Sequence, residues 1–192
     1  MSHLALRRHF VLLGLLLFTA VLPHRAIGSE PAPQPAIAKY EAQFMESMID
    51  HHAMAVMMGS LCTSRAVHPE LLALCTDIVD SQSAEIQTMQ AWLQQWYGIT
   101  ATPDVQENRM QRLASLSGSD FEIAFMETMI RHHARALREA AGCVERAFHA
   151  ELVSLCENII AAQLAEIQMM RTWLCQWYTI CRPEGSADPS QS

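Results

Sequence analysis

The chain is short of basic residues, with 13 Lys and Arg against 20 Asp and Glu and a formal net charge of −7. Nucleic acid is a poor partner for such a balance, because phosphates are held by Lys and Arg. An anionic membrane surface fits no better. Also missing are a glycine-rich phosphate loop, a nucleotide motif and a nucleophile–base pair, so the usual signatures of phosphoryl and acyl transfer are not there. Long apolar runs are absent too, apart from the 13 residues Phe10 to Leu22. A spanning helix needs about 20.

That single run has a specific setting. Arg7, Arg8 and His9 precede it, and Pro23 with the small-residue exit Ala26-Ile27-Gly28 follows. This is the layout of a secretory signal peptide, so residues 1–28 are expected to be removed, with an uncleaved anchor as the alternative. Arg7-Arg8-His9-Phe10 also fits a twin-arginine start, whereas the leucine-rich core fits ordinary secretion; the route stays open. Cleavage would take away Arg7, Arg8 and Arg25 but no acidic residue, leaving ten basic against twenty acidic groups, a net charge of −10. No further segment is long enough to span a membrane, and the expected location is periplasmic or secreted. Residues 29–192 suffice for one domain with its own core. Six cysteines, an even number in an exported chain, point to disulfides.

A repeat organises the chain. Phe44–Ile99 aligns with Phe125–Ile180 at an offset of 81 residues without a gap, and 30 of the 56 positions are identical. Phe-Met-Glu-x-Met-Ile-x-His-His-Ala recurs at 44–53 and 125–134, Gln-x-Ala-Glu-Ile-Gln at 82–87 and 163–168, and Trp-Leu-x-Gln-Trp-Tyr at 92–97 and 173–178. Each copy reads as two helices. Met45, Met48, Ile49, His52, Val56 and Gly59 recur at steps of three and four, marking one face of a helix over about 39–64. The second starts near Pro69, carries the stripe Leu71, Cys75, Ile78, Gln82, Glu85, Ile86, Met89, Leu93 and Trp96, and stops at Gly98. In copy two the helices are expected at about 120–145 and 150–179, with Ser119 or Asp120 as a cap.

One hairpin cannot bury its own stripe, so two should pack as an all-α four-helix bundle with a pseudo-twofold axis. The expected layout is a disordered segment at 29–38 and a bundle at 39–182, with a disordered tail at 183–192. Within the bundle, hairpin one covers 39–99, the linker 100–118 (with a short helix within 105–116) and hairpin two 119–182. Cys62 with Cys75, and Cys143 with Cys156, would staple each hairpin beneath its loop, worth about 2–4 kcal/mol apiece. Cys175 and Cys181 have no match in copy one and would pin the tail to the last helix. A thiolate site for a soft metal is the alternative.

The chemistry lies around the His-His pairs. At 100° per residue Met45, Met48 and His52 share the core face, whereas His51, Met54 and Met58 form a line on the adjacent flank. Thioether and imidazole together suit Cu(I) rather than a hard cation. Met is also an ordinary core filler, the expected role of Met45 and Met126. Met54, Met57 and Met58 exceed what one core face needs. Gln82 and Glu85, and their counterparts Gln163 and Glu166, interrupt an apolar stripe. A buried carboxylate needs a partner, for which His52 and His133 are the candidates. The result is either a register-fixing Glu–His–Gln network or a carboxylate orienting a metal-binding imidazole. In copy two Met54, Met57 and Met58 become Arg135, Arg138 and Glu139, which reads as a solvated, salt-bridged surface. His68 and His149 are expected to cap or pack at the loops.

Phe-Met-x-x-Met-Ile-x-His-His, then Gln-x-x-Glu-Ile-x-x-Met and Trp-Leu, resembles the exported ferritin-like domain-of-unknown-function family 305, some of whose members bind copper. The resemblance covers about residues 40–99 and 120–180. It implies a ferritin-like four-helix bundle and maps copper onto Met48, His51, His52, Met54 and Met58, with Glu85 and Met89 across the bundle. In the second copy His132, His133 and Glu166 are the corresponding candidates, although Arg135 and Arg138 break the methionine pattern. The expected function is copper sequestration, transfer or resistance, without catalysis, with a periplasmic copper-handling protein as a further candidate partner. Two other readings compete. One is a metal-free helical interaction module. The other is a di-metal oxidoreductase, but its Glu-x-x-His motifs are missing: Ile49 follows Glu46, and Ile130 follows Glu127, at the third residue. Oligomeric state is not set, although Trp92, Trp96, Trp173 and Trp177 could supply contact area.

Overall fold

The computed structural model describes residues 30–105 and 107–181. The expected signal peptide (1–28) and tail (183–192) lie outside them. Four helices of 29 residues each dominate: α1 (Pro35–Thr63), α2 (Pro69–Tyr97), α4 (Gly118–Arg146) and α5 (Ala150–Tyr178). Between the pairs lie a 3-10 turn (Glu107–Met110) and the one-turn α3 (Gln111–Ala114). The expected all-α, two-hairpin bundle is therefore the fold. Among the described residues no helix is long and apolar enough to cross a membrane.

Local chemistry explains the ends. Pro35 and Pro69 occupy first-turn positions, where a missing N–H costs nothing. Glu70, Asp120 and Glu151 sit in first turns, at the positive end of the dipole. Two boundaries differ from expectation. Helix α1 begins at Pro35 rather than Lys39, and Ala32 before it is buried, so the part of 29–38 described here is ordered. Helix α4 begins at Gly118 with Ser117 as its N-cap, and no side chain caps it; neither Ser119 nor Asp120 does so.

Helix α2 ends in the left-handed Gly98 (φ 66°), whose N–H donates to the Gln94 carbonyl while that of Ile99 reaches Leu93. The equivalent residue in copy two is Thr179, left-handed at φ 57°. A β-branched side chain there costs roughly 1–2 kcal/mol.

All three disulfides form: Cys62–Cys75, Cys143–Cys156 and Cys175–Cys181, with Cα separations of 5.9, 6.2 and 4.4 Å. The first two tie each hairpin near its loop. Beside the first, a Cβ on Gly59 would stand 2.9 Å from Val79 Cγ2, so glycine permits the close approach of α1 to α2.

The hairpins meet through α1 and α4. Their apolar side chains form two cores. One takes Met58, Cys62, Leu71 and Ile78 with Phe121, Phe125, Met129 and Met170; the other takes Met45, Met48, Met89 and Trp96 with Ala140, Cys143, Leu152 and Ile159. The residues of the His-His pairs and of Gln82, Glu85, Gln163 and Glu166 fall between these two sets along the chain.

Each end is closed by a buried carboxylate that reaches the opposite hairpin. Glu41 on α1 accepts the N–H groups of Phe148 and His149 (2.6 and 2.9 Å), His149 Nδ1–H (2.6 Å) and the Tyr97 hydroxyl (2.5 Å). Glu122 on α4 repeats this with Val67, His68 and Tyr178. Each loop imidazole also stacks on a tryptophan of the other copy: His149 on Trp96 at 3.8 Å and His68 on Trp177 at 3.9 Å, both tilted by only 3°. The loop histidines therefore pack. Burial pushes both carboxyls upward in pKa, but the four hydrogen bonds outweigh it and hold Glu41 and Glu122 below the usual 4.5.

Two predictions follow from these ends. Because the folded-state pKa values are depressed, the clamps contribute stability above pH 4.5 and lose it as pH falls through the folded values. Glu41→Gln should cost about 2–3 kcal/mol at pH 7 and shrink the loss of stability below pH 4.5, as read by urea unfolding at a series of pH values. Thr179→Gly should stabilise by about 1 kcal/mol, visible as a raised Tm; an unchanged or lowered Tm would refute the strain.

Candidate functional site

The pseudo-twofold axis runs between His51 and His132, which the repeat makes equivalent. Their rings stack with centroids 3.6 Å apart, tilted by 35°. His51 Nε2–H donates to the His132 carbonyl oxygen at 3.1 Å. Burial first, and then the neighbouring histidines, push the His51 pKa down to about 3 and that of His132 to about 2. Both rings are therefore neutral at any ordinary pH. With Nε2 of His51 protonated, its Nδ1 carries a free lone pair. The Nδ1 atoms of His51, His52, His132 and His133 are all buried without a hydrogen-bond partner, a state that normally costs about 1–3 kcal/mol per group.

Two cavities flank this pair, related by the repeat but unlike in chemistry. The larger, about 420 Å³, is lined by Met54, Met58, Met110, Leu113, Glu127, Arg131 and His132 among others. The smaller, about 270 Å³, is lined by Ser47, Asp50, His51, Met54, Asp104, His132 and Arg135. Met54 and His132 border both. In the smaller cavity Arg135 takes the place that Met54 holds in the larger. Arg135 is itself tied to Glu139, the counterpart of Met58, at 2.7 Å, as the sequence suggests. Both linings carry charged side chains, Arg112, Glu127 and Arg131 in the larger and Asp50, Asp104 and Arg135 in the smaller, but the larger has three methionines and the smaller only Met54.

The remaining candidates stand elsewhere. Met48 and Met89 are fully buried in one apolar core and border neither cavity. His52 Nε2 lies 2.6 Å from Glu85 Oε2, and His133 Nε2 lies 2.6 Å from Glu166 Oε2 but out of line for a hydrogen bond. The expected Glu–His contact forms, but the glutamines do not join it: both polar atoms of Gln82 and of Gln163 are buried and unpartnered. Among the described residues no group of three or more His, Cys, Asp or Glu is placed to hold a metal ion, so a metal here would need thioether ligands.

Two features escaped the sequence reading. Met110 comes from the linker and joins the site only through the tertiary fold. Glu41 and Glu122 differ by the repeat offset of 81 and would have been paired by extending the alignment three residues toward the N-terminus.

These features define a class: a tandem helical-hairpin bundle with a histidine pair at its seam and a methionine-lined cavity on one side. The family model "Domain of unknown function (DUF305)" matches residues 41–174, and the chain belongs to that family. Structures of CopM are similar; the Cu(I)-bound form shares 32% identity, covers 72% of this chain and 97% of its own, and superposes with a TM-score of 0.66. A DUF305 protein from Streptomyces coelicolor shares 26% identity over 71% of this chain and 91% of its own (TM-score 0.65). A DUF305 fragment from Deinococcus radiodurans shares 26% over 75% and 97% (TM-score 0.63). Among curated proteins, the uncharacterized protein L153 of Acanthamoeba polyphaga mimivirus is 38% identical over 53 residues, 28% of this chain. The match spans 35% of that protein's length.

The histidine pair gives a pH signature. Its folded pKa values lie below the unfolded 6.5, so the unfolded chain binds more protons and stability falls as pH drops below 6.5. The slope approaches about 1.4 kcal/mol per pH unit for each ring. Unfolding free energies at pH 6.5 and 4.5 should differ more in the parent than in a His51→Gln, His132→Gln variant; equal differences would show that the rings do not resist protonation.

Proposed function

We propose that the protein binds a soft metal ion, Cu(I) in particular, as cargo in the cavity lined by Met54, Met58, Met110 and His132, with His51 stacked behind. The observation that supports this most directly is the donor set: three thioethers and the neutral, half-buried imidazole of His132 around one cavity. Thioether sulfur and imidazole favour Cu(I) over hard cations. Depressed pKa values help, because a metal need not displace a proton from either ring. The likeness to CopM, solved with Cu(I), Cu(II) and silver, agrees with this reading. His52–Glu85 acts beside the site, with the carboxylate fixing the ring of its histidine through a hydrogen bond, and Glu166 stands against His133 in the second copy. Arg135 and Glu139 leave the second copy without a matching set. The role is sequestration, transfer or resistance in the periplasm or outside the cell, consistent with three disulfides. A metal-free interaction module is the competing reading, favoured by the burial of Met48 and Met89 in an apolar core.

An anaerobic Cu(I) competition titration against a chromophoric chelator tests the proposal. The Met54→Leu, Met58→Leu variant should bind at least about 100-fold more weakly, and Met110→Leu about tenfold more weakly, with helical content unchanged. A folded parent that fails to compete for Cu(I) would sink the copper reading.

A further inference from the structure

The Cys175–Cys181 bond differs from the other two in its surroundings. Cys62, Cys75, Cys143 and Cys156 are all fully buried, whereas Cys175 is half-buried and Cys181 is exposed. It closes a sequence separation of only 6, against 13 for the others.

The repeat shows what this bond does for the fold. Its counterparts in copy one are Gln94 and Thr100, and there the Thr100 hydroxyl donates to Gln94 Oε1 at 3.0 Å. The backbone caps match. Gly98 N–H to Gln94 O and Ile99 N–H to Leu93 O both measure 3.1 Å; Thr179 N–H to Cys175 O and Ile180 N–H to Leu174 O measure 3.1 and 3.0 Å. A hydrogen bond thus closes in copy one the same turn that a covalent bond closes in copy two. The same backbone cap bonds therefore form in copy one, with Gly98 at the left-handed position, without a disulfide. Opened, Cys175 and Cys181 would stay side by side, held by the cap with their Cα atoms 4.4 Å apart.

The location is also telling. Leu174 and Ile180, neighbours of the two cysteines, line a cleft with Glu127 and Arg131, and those same two residues wall the methionine cavity.

We infer that Cys175–Cys181 is a selectively reducible disulfide whose dithiol form is a second, surface site for a soft monovalent metal ion such as Cu(I). The reductant is a small thiol or a dithiol. Its thiolate attacks the exposed Sγ of Cys181, the S–S bond breaks, and Cys175 leaves as thiolate with a mixed disulfide on Cys181. A second reductant thiolate then attacks the reductant's own sulfur in that mixed disulfide, releasing Cys181 thiolate and the oxidised reductant. Two electrons pass to the protein, and the metal, without change of oxidation state, takes the two thiolates as soft ligands. The other two bonds, shielded from an attacking thiolate, stay closed.

The test uses the full chain with graded dithiothreitol, alkylation and peptide mapping, followed by anaerobic Cu(I) competition of oxidised and partly reduced samples. Cys175 and Cys181 should be alkylated at least about tenfold faster than the other four cysteines, and the partly reduced protein should bind one more Cu(I) with a thiolate-to-copper ultraviolet band. A Cys175→Ser, Cys181→Ser variant should keep its helical content and lose only that extra equivalent. The extra equivalent should persist in the Met54→Leu, Met58→Leu background, which separates this site from the methionine cavity. Simultaneous reduction of all three bonds, or selective reduction without an added equivalent, would overturn the inference.

Discussion

Two buried carboxylates hold this bundle together as one object. Glu41 and Glu122 are each wholly shielded from solvent, and each leaves its own hairpin to gather the backbone N–H groups and the imidazole of the opposite loop. Burying a carboxylate is costly unless its oxygens are satisfied, and here four donors satisfy each one. The arrangement is therefore strongly specific: three of each glutamate's four donors are found only when the other hairpin sits in register, and the fourth is a tyrosine of its own hairpin. Trp96 and Trp177 complete the ends by stacking on the same imidazoles.

Everything at the centre depends on that register. With the ends fixed, His51 and His132 are brought face to face on the pseudo-twofold axis, too dry to protonate. Symmetry would have given two equal cavities beside them. The exchange of Met54 for Arg135 breaks it, together with the linker, which brings Met110, Arg112 and Leu113 to one side and Asp104 to the other. What remains is a cavity with three methionines on one side and one with a single methionine on the other, so a duplicated scaffold presents a single methionine-rich face.

The same divergence recurs at the helix ends. A glycine and a hydrogen bond close the cap of α2, whereas a strained threonine and a disulfide close that of α5. Both solutions give matching backbone bonds. Copies of one hairpin can therefore exchange a weak contact for a covalent one without altering the fold, because the Schellman-type cap is a backbone device.

The duplication, the four helices, their approximate ends and the pairing of four cysteines were legible in the sequence, because helical periodicity and exact repetition are local properties. So was the contact of His52 with Glu85, since a carboxylate in an apolar stripe demands a partner on the facing helix. The grouping of Met54 and Met58 with His132 was not, nor the arrival of Met110. Those residues belong to different hairpins and to the linker, and only the packing of α1 against α4 sets their distance. Met48 and Met89 show the converse: their spacing suits a ligand and a core alike, and only the tertiary structure shows that they are buried in an apolar cluster away from both cavities. The sequence by itself determined which residues form helices and which faces are apolar, because both follow from spacing along one chain. The tertiary structure alone decided which imidazoles meet, which are dry and which methionines share a cavity, because those depend on how two hairpins of nearly the same sequence dock across an axis.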